Sequence, residues 1–335
     1  MARIITLALI ILSLVAPARA AEFVDDSGRR VELPSSVARV LPAGPPAAAF
    51  LYAVAPQRML GWAHEPGGRD RGYIALPYAA LPAIGAITER GNDVDAAKLA
   101  ELHPDLILDV GTVSRRYQEL AESTQSKTGV PYVLLDGKIA ALPGTLRRLG
   151  RILGAESRGE ELASYAERTL AEARVRAGMV PSERRYRVYY GRGKDGLTTA
   201  GPGSIGAEFI ELLGLVNVAP ASERQMYQAT AEQLTGWKPD VVVILGPEAA
   251  AAFAGDARFR DLPAVREGRV LGSPRLPFGW VDGPPSPSRL LALRWLGHAL
   301  YPDQFPEDIR AATREFYQLF YAVDLSDRML DELLK

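Results

Sequence analysis

The sharpest pattern of apolar and polar positions occurs twice. Residues 96–111 and residues 231–246, 135 positions apart, each read as a helix end, a Pro-Asp turn, an unbroken apolar run and a closing glycine. The turns are Pro104-Asp105 and Pro239-Asp240; the glycines are Gly111 and Gly246. Proline lacks the amide that would continue a helix, and it presets the turn into the next element. The run 241–245 has no polar alternation, as expected of a parallel strand covered on both faces. Two such units so far apart predict two similar α/β lobes, and two lobes facing each other enclose a cleft.

The remaining pattern fits this frame. Residues 22–24 and 31–33 flank a turn and predict a hairpin. A strand over 37–41, a helix over 47–54 and a short strand over 59–62 precede the first unit; a helix over 115–128 and a strand over 132–135 follow it. Leu142, Leu146, Leu149 and Leu153 recur at i, i+4, i+7 and i+11, and Gly154 marks a break. Residues 158–178 then run without a breaker, ~30 Å of helix at 1.5 Å per residue. That stretch lies where a connector between lobes must be, and it predicts a stiff spine. Strands over 186–190 and 269–272 and helices over 204–213, 309–321 and 326–334 complete the second lobe. Ser204 reads as a helix cap; Ser286 as N-cap and Pro287 at the first helical position open a further helix. The expected fold is α/β: an N-terminal lobe over 21–155, a connecting helix over 156–180 and a C-terminal lobe over 181–335, each lobe on a central parallel sheet.

Composition removes several function classes. The 335 residues carry 39 basic and 40 acidic side chains, so no strong field favours nucleic acid or an acidic membrane surface. The first twenty residues read as a cleaved leader: positive Arg3, an apolar stretch over 4–15, and Ala18-Arg19-Ala20 as a small-x-small site. That apolar run is short of the ~20 residues needed to span a bilayer. The chain has no cysteine, which removes disulfides, thiol chemistry and an acylated N-terminal Cys. The expectation is a soluble periplasmic monomer.

The candidate chemistry is that of binding. Gly191, Gly193 and Gly196 match a dinucleotide fingerprint after a strand, but residues 197–202 intervene before any helix, so the pyrophosphate would lack its helix N-terminus. The same loop offers Tyr190, Arg192 and Lys194 as an anion grip. Of three histidines, His103 and His298 read as structural. His64 stands on a loop at a strand end and could complete the coordination of a metal arriving in a chelate; one His and one carboxylate fall short of a protein-borne site. Trp62, Tyr190, Tyr227, Phe278 and Trp280 offer flat apolar faces, and Arg115, Arg116, Arg192 and Arg275 offer guanidinium forks that match carboxylate or catecholate oxygens. No paired acid and base and no nucleophile elbow stand out, and no cofactor is expected. A periplasmic enzyme on a duplicated α/β scaffold is the alternative.

Export, duplicated lobes and a helical spine together resemble the helical-backbone periplasmic binding proteins of ABC importers. Residues 25–34 with Ala38-Arg39-Val40 are similar to that family's N-terminal signature. Leu102-His103-Pro104-Asp105 and Trp237-Lys238-Pro239-Asp240 resemble its strand entries, and residues 213–219 its Gly-Asn-Val turn. Phe278-Gly279-Trp280-Val281-Asp282-Gly283-Pro284-Pro285 resembles a subset that takes iron complexes. The resemblance implies capture of a metal chelate, foremost a ferric siderophore or related iron complex, and delivery to a permease and its ATPase. Cobalamin, haem and nickel chelates are alternatives. It further implies a docking carboxylate on each lobe. Glu232 fills the C-lobe position, whereas the N-lobe position holds Ala97, with Asp95 or, a full turn away, Glu101 as the nearby substitute. An unbroken spine implies modest lobe closure, because sharp bends need a Pro or a bulge.

Overall fold

The computed structural model of the chain describes residues 21–88 and 96–335. A hairpin of β1 (Ala21–Val24) and β2 (Arg30–Leu33) opens the fold, with Phe23 opposite Val31. Then come β3 (Val40–Pro42), α1 (Pro45–Val54), α2 (Ala96–Glu101), β4 (Leu106–Gly111), α3 (Arg115–Thr128) and β5 (Tyr132–Asp136). The three later strands form a parallel sheet in the order β3-β4-β5, with Leu41 beside Ile107 and Leu108 beside Val133. The expected strand over 59–62 reduces to two isolated bridges, Val40 to Met59 and Trp62 to Ala83. Two helices, α4 (Leu142–Ile152) and α5 (Glu156–Gly178), leave this lobe. They cross at Gly150 and Gly159, where a Cβ on Gly159 would lie 2.9 Å from the Gly150 Cα, so neither position has room for a side chain.

The second lobe contains β6 (Arg187–Gly191), β7 (Thr198–Thr199), α6 (Glu208–Leu212), β8 (Val216–Asn217), β9 (Tyr227–Gln228), α7 (Ala231–Trp237), β10 (Val241–Leu245), α8 (Pro247–Ala254), α9 (Pro263–Arg266) and β11 (Val270–Ser273). Its main sheet is parallel, in the order β11-β10-β6-β8. Helices α10 (Arg289–Leu300), α11 (Ile309–Tyr321) and α12 (Asp327–Leu333) close the chain. Helix α6 starts four residues later than expected. Ser204 does not cap it and instead donates to the Gly201 carbonyl at 2.8 Å. Helix α10 starts at Arg289, past the expected Ser286 and Pro287, because Ser286 Oγ accepts from the Ser288 amide at 3.2 Å in a turn of its own.

The repeated Pro-Asp turn has a mechanical reason. Asp105 accepts the amides of Ala38 and Arg39, 2.8 Å each, and so fixes the entry to β3 beside β4. Asp240 accepts the amide of Arg187 at 2.9 Å and does the same for β6 beside β10. The two arginines answer in kind. Arg39 donates to the Leu102 carbonyl at 2.7 Å and Arg187 to the Trp237 carbonyl at 2.9 Å, satisfying helix-end acceptors. His103 and Lys238, which precede the two prolines, both take left-handed backbone angles (φ 44° and 48°).

Both central strands are covered on two faces. Leu106, Leu108 and Val110 pack into the large core under α1 and α4, while Ile107 packs with Tyr132 and Ala121 of α3. In the second lobe Val241 and Val243 join that same large core, and Val242 and Ile244 pack with Phe253 and Phe259. The large core therefore runs through both lobes. Tyr52 of α1 donates to the Tyr321 carbonyl of α11 at 2.7 Å across it.

Arg289 makes the most demanding junction. It is fully buried and donates to Glu208 at 2.6 Å, to the Ile205 carbonyl at 3.1 Å and to the Gly137 carbonyl of the first lobe. Glu208 in turn accepts the Ile139 amide at 2.7 Å. Burial pushes the guanidinium below and the carboxyl above their ordinary values, and each charge offsets the other. Removing one partner strands the other in an apolar interior, so Arg289→Ala is expected to cost about 3–5 kcal/mol in urea unfolding.

Asp109 of β4 is a second buried charge. Its only side-chain partner among the described residues is the Tyr132 hydroxyl, which donates at 3.0 Å, and burial raises the carboxyl to about 6. The folded value lies above the unfolded ~3.9, so the folded state holds the proton more tightly, and stability falls as pH rises from ~4 through about 6. Asp109→Asn is therefore expected to add about 1–3 kcal/mol at pH 7.5 and little at pH 4.5, read by urea unfolding at both values.

Candidate functional site

Parallel strands of both lobes end at one seam, and ligands of α/β sheets bind at such carboxyl ends. There the chain leaves β4 through Thr112 and Ser114 into α3, leaves β6 through Arg192, and leaves β11 toward Arg275. Between them lies a cleft of about 1140 Å³. At its base a chamber of about 220 Å³ shares Thr88, Thr112, Tyr117, Arg192, Gln225 and Met226 with it. Ser114 caps α3 by position only. Its side chain makes no bond to the helix amides, so the hydroxyl and the helix start both stand at the cleft wall.

Charge in the cleft is lopsided. Arg116, Arg192, Lys194, Arg224 and Arg275 line it against one carboxylate, Glu223. Two further acids, Asp109 and Asp282, lie deeper, at the chamber. Arg192 Nη1 donates to Asp282 at 2.9 Å, and the Tyr190 hydroxyl donates to the same oxygen at 2.9 Å. Burial works against the Arg192 charge, but Asp282 outweighs it and holds the guanidinium above its ordinary value. Hydroxyl, amide and guanidinium donors thus dominate the wall, which is the chemistry of an anion site.

A groove of about 1250 Å³ adjoins the cleft at Arg275, which lines both. Its floor includes Trp62 and Phe278, whose rings lie 6.0 Å apart. Arg69 of the first lobe meets Glu248 of α8 across it at 3.2 Å.

The structure brings Arg116, Arg192 and Arg275 together at the cleft, and Trp62, His64 and Phe278 at the groove. Two expectations are corrected. Tyr190 and Trp280 are fully buried and present no face to a ligand: Tyr190 is spent on Asp282, and Trp280 donates to the Tyr317 hydroxyl at 3.2 Å. Arg115 and Tyr227 line neither space. Arg115 points to solvent and pairs with Glu119 at 2.8 Å, and the Tyr227 hydroxyl donates to the Pro220 carbonyl at 2.9 Å. Thr88, Thr112, Tyr117, Arg224, Gln225 and Met226 were not singled out in the sequence. Tyr117, one turn into the helix that follows β4, had a positional signal; the loop over 223–226 had none.

Among the described residues no group of three His, Asp or Glu could hold a metal. His298 Nδ1 lies 2.8 Å from the Phe305 carbonyl, a structural contact. The glycine loop after β6 is a tight hairpin, closed by reciprocal backbone bonds between Arg192 and Thr198, and no helix N-terminus follows it. Glu232 is exposed in the first turn of α7, behind a Thr230–Gln233 capping box; its own backbone amide and the Thr230 hydroxyl hold its carboxyl below the usual range. Asp95 lies outside the described residues.

Comparison with known proteins agrees with this architecture. A family model described as periplasmic binding protein matches residues 78–275. The molybdate-binding protein MolA of Haemophilus influenzae is 28% identical over 179 residues, 52% of this chain and 49% of that protein, so the match spans about half the relative's length. The solved structure of MolA bound to molybdate superposes with a TM-score of 0.77 at 20% identity, over 91% of this chain and 99% of that one. An ABC transporter solute binding protein from Sulfurospirillum deleyianum gives 0.83 at 25% identity, over 93% and 98% of the two chains. The TroA-like periplasmic binding protein FepB from Veillonella parvula gives 0.70 at 18% identity, over 91% and 97%. With two α/β lobes, a helical backbone between them and a cleft at the strand ends, the chain belongs to the periplasmic binding protein family, in its helical-backbone class, a family of binding proteins and not of enzymes.

Proposed function

We propose that this protein is the periplasmic substrate-binding component of an ABC importer, and that its ligand is a compact metal oxyanion of the molybdate kind. The observation that carries the reading is the small chamber at the cleft base, walled by Thr88, Thr112, Tyr117 and Arg192 beneath four more cationic side chains. Cationic and hydroxyl side chains outnumber the carboxylates here, Asp282 being paired with Arg192 and Asp109 with Tyr132, which favours an anion, and about 220 Å³ suits a compact one. The likeness to molybdate-binding MolA supports this choice. A ferric siderophore or other anionic metal chelate is the second reading. It is favoured by the outer cleft, whose 1140 Å³ exceeds what a bare oxyanion fills and whose Arg116, Lys194, Arg224 and Arg275 could hold chelate oxygens. Cobalamin, haem and nickel complexes belong to the same test.

In this reading the anion enters from the open side, exchanges its hydration for guanidinium and hydroxyl donors, and draws the lobes together by a small amount. The loaded protein then docks on the permease through one carboxylate of each lobe, the exposed Glu232 on the second and Asp95 on the first.

Titration calorimetry and thermal shift with molybdate, tungstate, sulfate, ferric siderophores, haem, cobalamin and nickel–histidine test the ligand. Molybdate at 100 times its dissociation constant is expected to add about 2.7 kcal/mol to the native state. Arg192→Ala is expected to weaken binding by roughly ten- to a hundredfold, the worth of a charged hydrogen bond. Stabilisation by a chelate alone would move the assignment to the second reading, and none from any anion would overturn both.

Docking is tested in cells. Glu232→Ala is expected to lower uptake while leaving the affinity of the purified protein unchanged; weaker binding in vitro would remove Glu232 from the docking surface.

A further inference from the structure

We propose that Asp282 is a positioning residue, a buried carboxylate whose task is to aim Arg192 into the chamber; the inference rests on the reading of that chamber as an anion site. The arrangement is otherwise hard to account for. Asp282 is 2% exposed, yet it places a negative charge at the wall of a space that the surrounding donors fit to an anion. Coulomb's law makes that charge a direct opponent of the ligand.

The hydrogen bonds resolve the conflict. Asp282 is immobilised from three sides. Its Oδ1 accepts the Gly283 amide at 2.7 Å, its Oδ2 accepts the fully buried Tyr190 hydroxyl at 2.9 Å, and Gly206 lies so close that a Cβ there would stand 3.3 Å from Oδ2. A carboxylate held this firmly is a fixed acceptor, and Arg192 Nη1 is bound to it at 2.9 Å. Beyond Asp282 and the adjoining Tyr190 hydroxyl, the Arg192 fork has no further side-chain hydrogen bond among the described residues, although it belongs to a side chain 36% exposed on a loop. An arginine with one edge anchored keeps its planar array of donors aligned, so little rotamer entropy is lost when an anion takes the free edge. The desolvation cost of the carboxylate is met from within the protein: Arg192 pairs with it and the buried Arg289 attracts it through space.

Position and charge predict opposite signs for Asp282→Asn. The variant keeps the shape and removes a negative charge beside the ligand. If Asp282 acts only through its field, molybdate binding tightens. If it positions Arg192, molybdate binding weakens by about tenfold in calorimetry, the loss of one well-made charged hydrogen bond. A double-mutant cycle separates positioning from general damage: with Arg192→Ala already in place, Asp282→Asn is expected to change the affinity by less than twofold, since there is nothing left to aim. An equal loss in both backgrounds would overturn the proposal.

A ligand-free readout keeps the two claims apart. In the unliganded protein the Arg192 Nε–Hε order parameter is expected to fall from a rigid value to below ~0.6 in Asp282→Asn. Tyr190→Phe, which leaves the carboxylate in place with one restraint fewer, is expected to produce a smaller fall, and it serves if Asp282→Asn does not fold. An unchanged Arg192 signal in both variants would overturn the positioning role whatever the ligand. Absence of molybdate heat in the wild type, with the order parameter falling as expected, would sink the oxyanion reading alone.

Discussion

A guanidinium without access to solvent holds the two lobes at their seam. Arg289 sits on a helix of the second lobe, yet part of its hydrogen bonding goes to the first, through the Gly137 carbonyl just beyond β5. Glu208 completes the junction by neutralising Arg289 and accepting the Ile139 amide. Neither charge can be moved into water without opening the seam, so the interaction favours one separation of the lobes over a range of them. The apolar core points the same way, because one continuous cluster includes Phe50 and Leu146 from the first lobe, Leu162 from the spine and Val188 and Leu290 from the second. A cleft built on such a base keeps its width largely fixed, which suits a site made of aligned donors.

Much of this architecture was legible from the chain because its strongest signals are local. The two Pro-Asp units predicted two sheets, and the structure explains why both letters recur: proline ends the helix, and aspartate fastens the neighbouring strand through its amides. Helices over 115–128 and 309–321 and the strand over 241–245 lie where periodicity puts them. Boundaries failed where a side chain was spent differently from its type. Ser204 and Ser286 look like caps, but each bonds within a turn, and the helices begin later. The strand over 59–62 lost its ladder because an edge strand must find a partner, and Met59 and Trp62 find different ones.

The site was less legible, for a reason of distance rather than of residue type. Arg116, Arg192 and Arg275 could be placed at the cleft from the chain, since the carboxyl end of a parallel strand faces the seam. Aromatic residues were a poor guide. Trp280 and Tyr190 sit in segments that read as loop and strand end, but α11 covers the first and α6 with Asp282 the second, and only contacts far apart in sequence reveal it: Trp280 with Tyr317, Tyr190 with Phe209 and Asp282. Gln225 and Met226 had no pattern at all, because what places them is about twenty residues away in sequence: Gln225 accepts the Ile205 amide and Met226 lies beside Gly206.

The two acids beside the chamber distinguish this cleft from a simple basic patch. A surface of arginines alone would attract any anion and release it slowly, and its strength would fall steeply with salt. Here Asp282 ties down one guanidinium, and Asp109, pushed up to about 6 by burial, sits at the other wall as an acceptor that loses its charge under mild acidity. Net attraction at the base of the cleft is thereby held below what the five cations would exert by themselves, while the directions of the remaining donors are fixed. A carrier that must give up its cargo gains from that exchange: in the proposed reading recognition comes from the alignment of Arg192 with the hydroxyls of Thr112 and Tyr117, and alignment can be undone by a small movement of one lobe in a way that a broad field cannot.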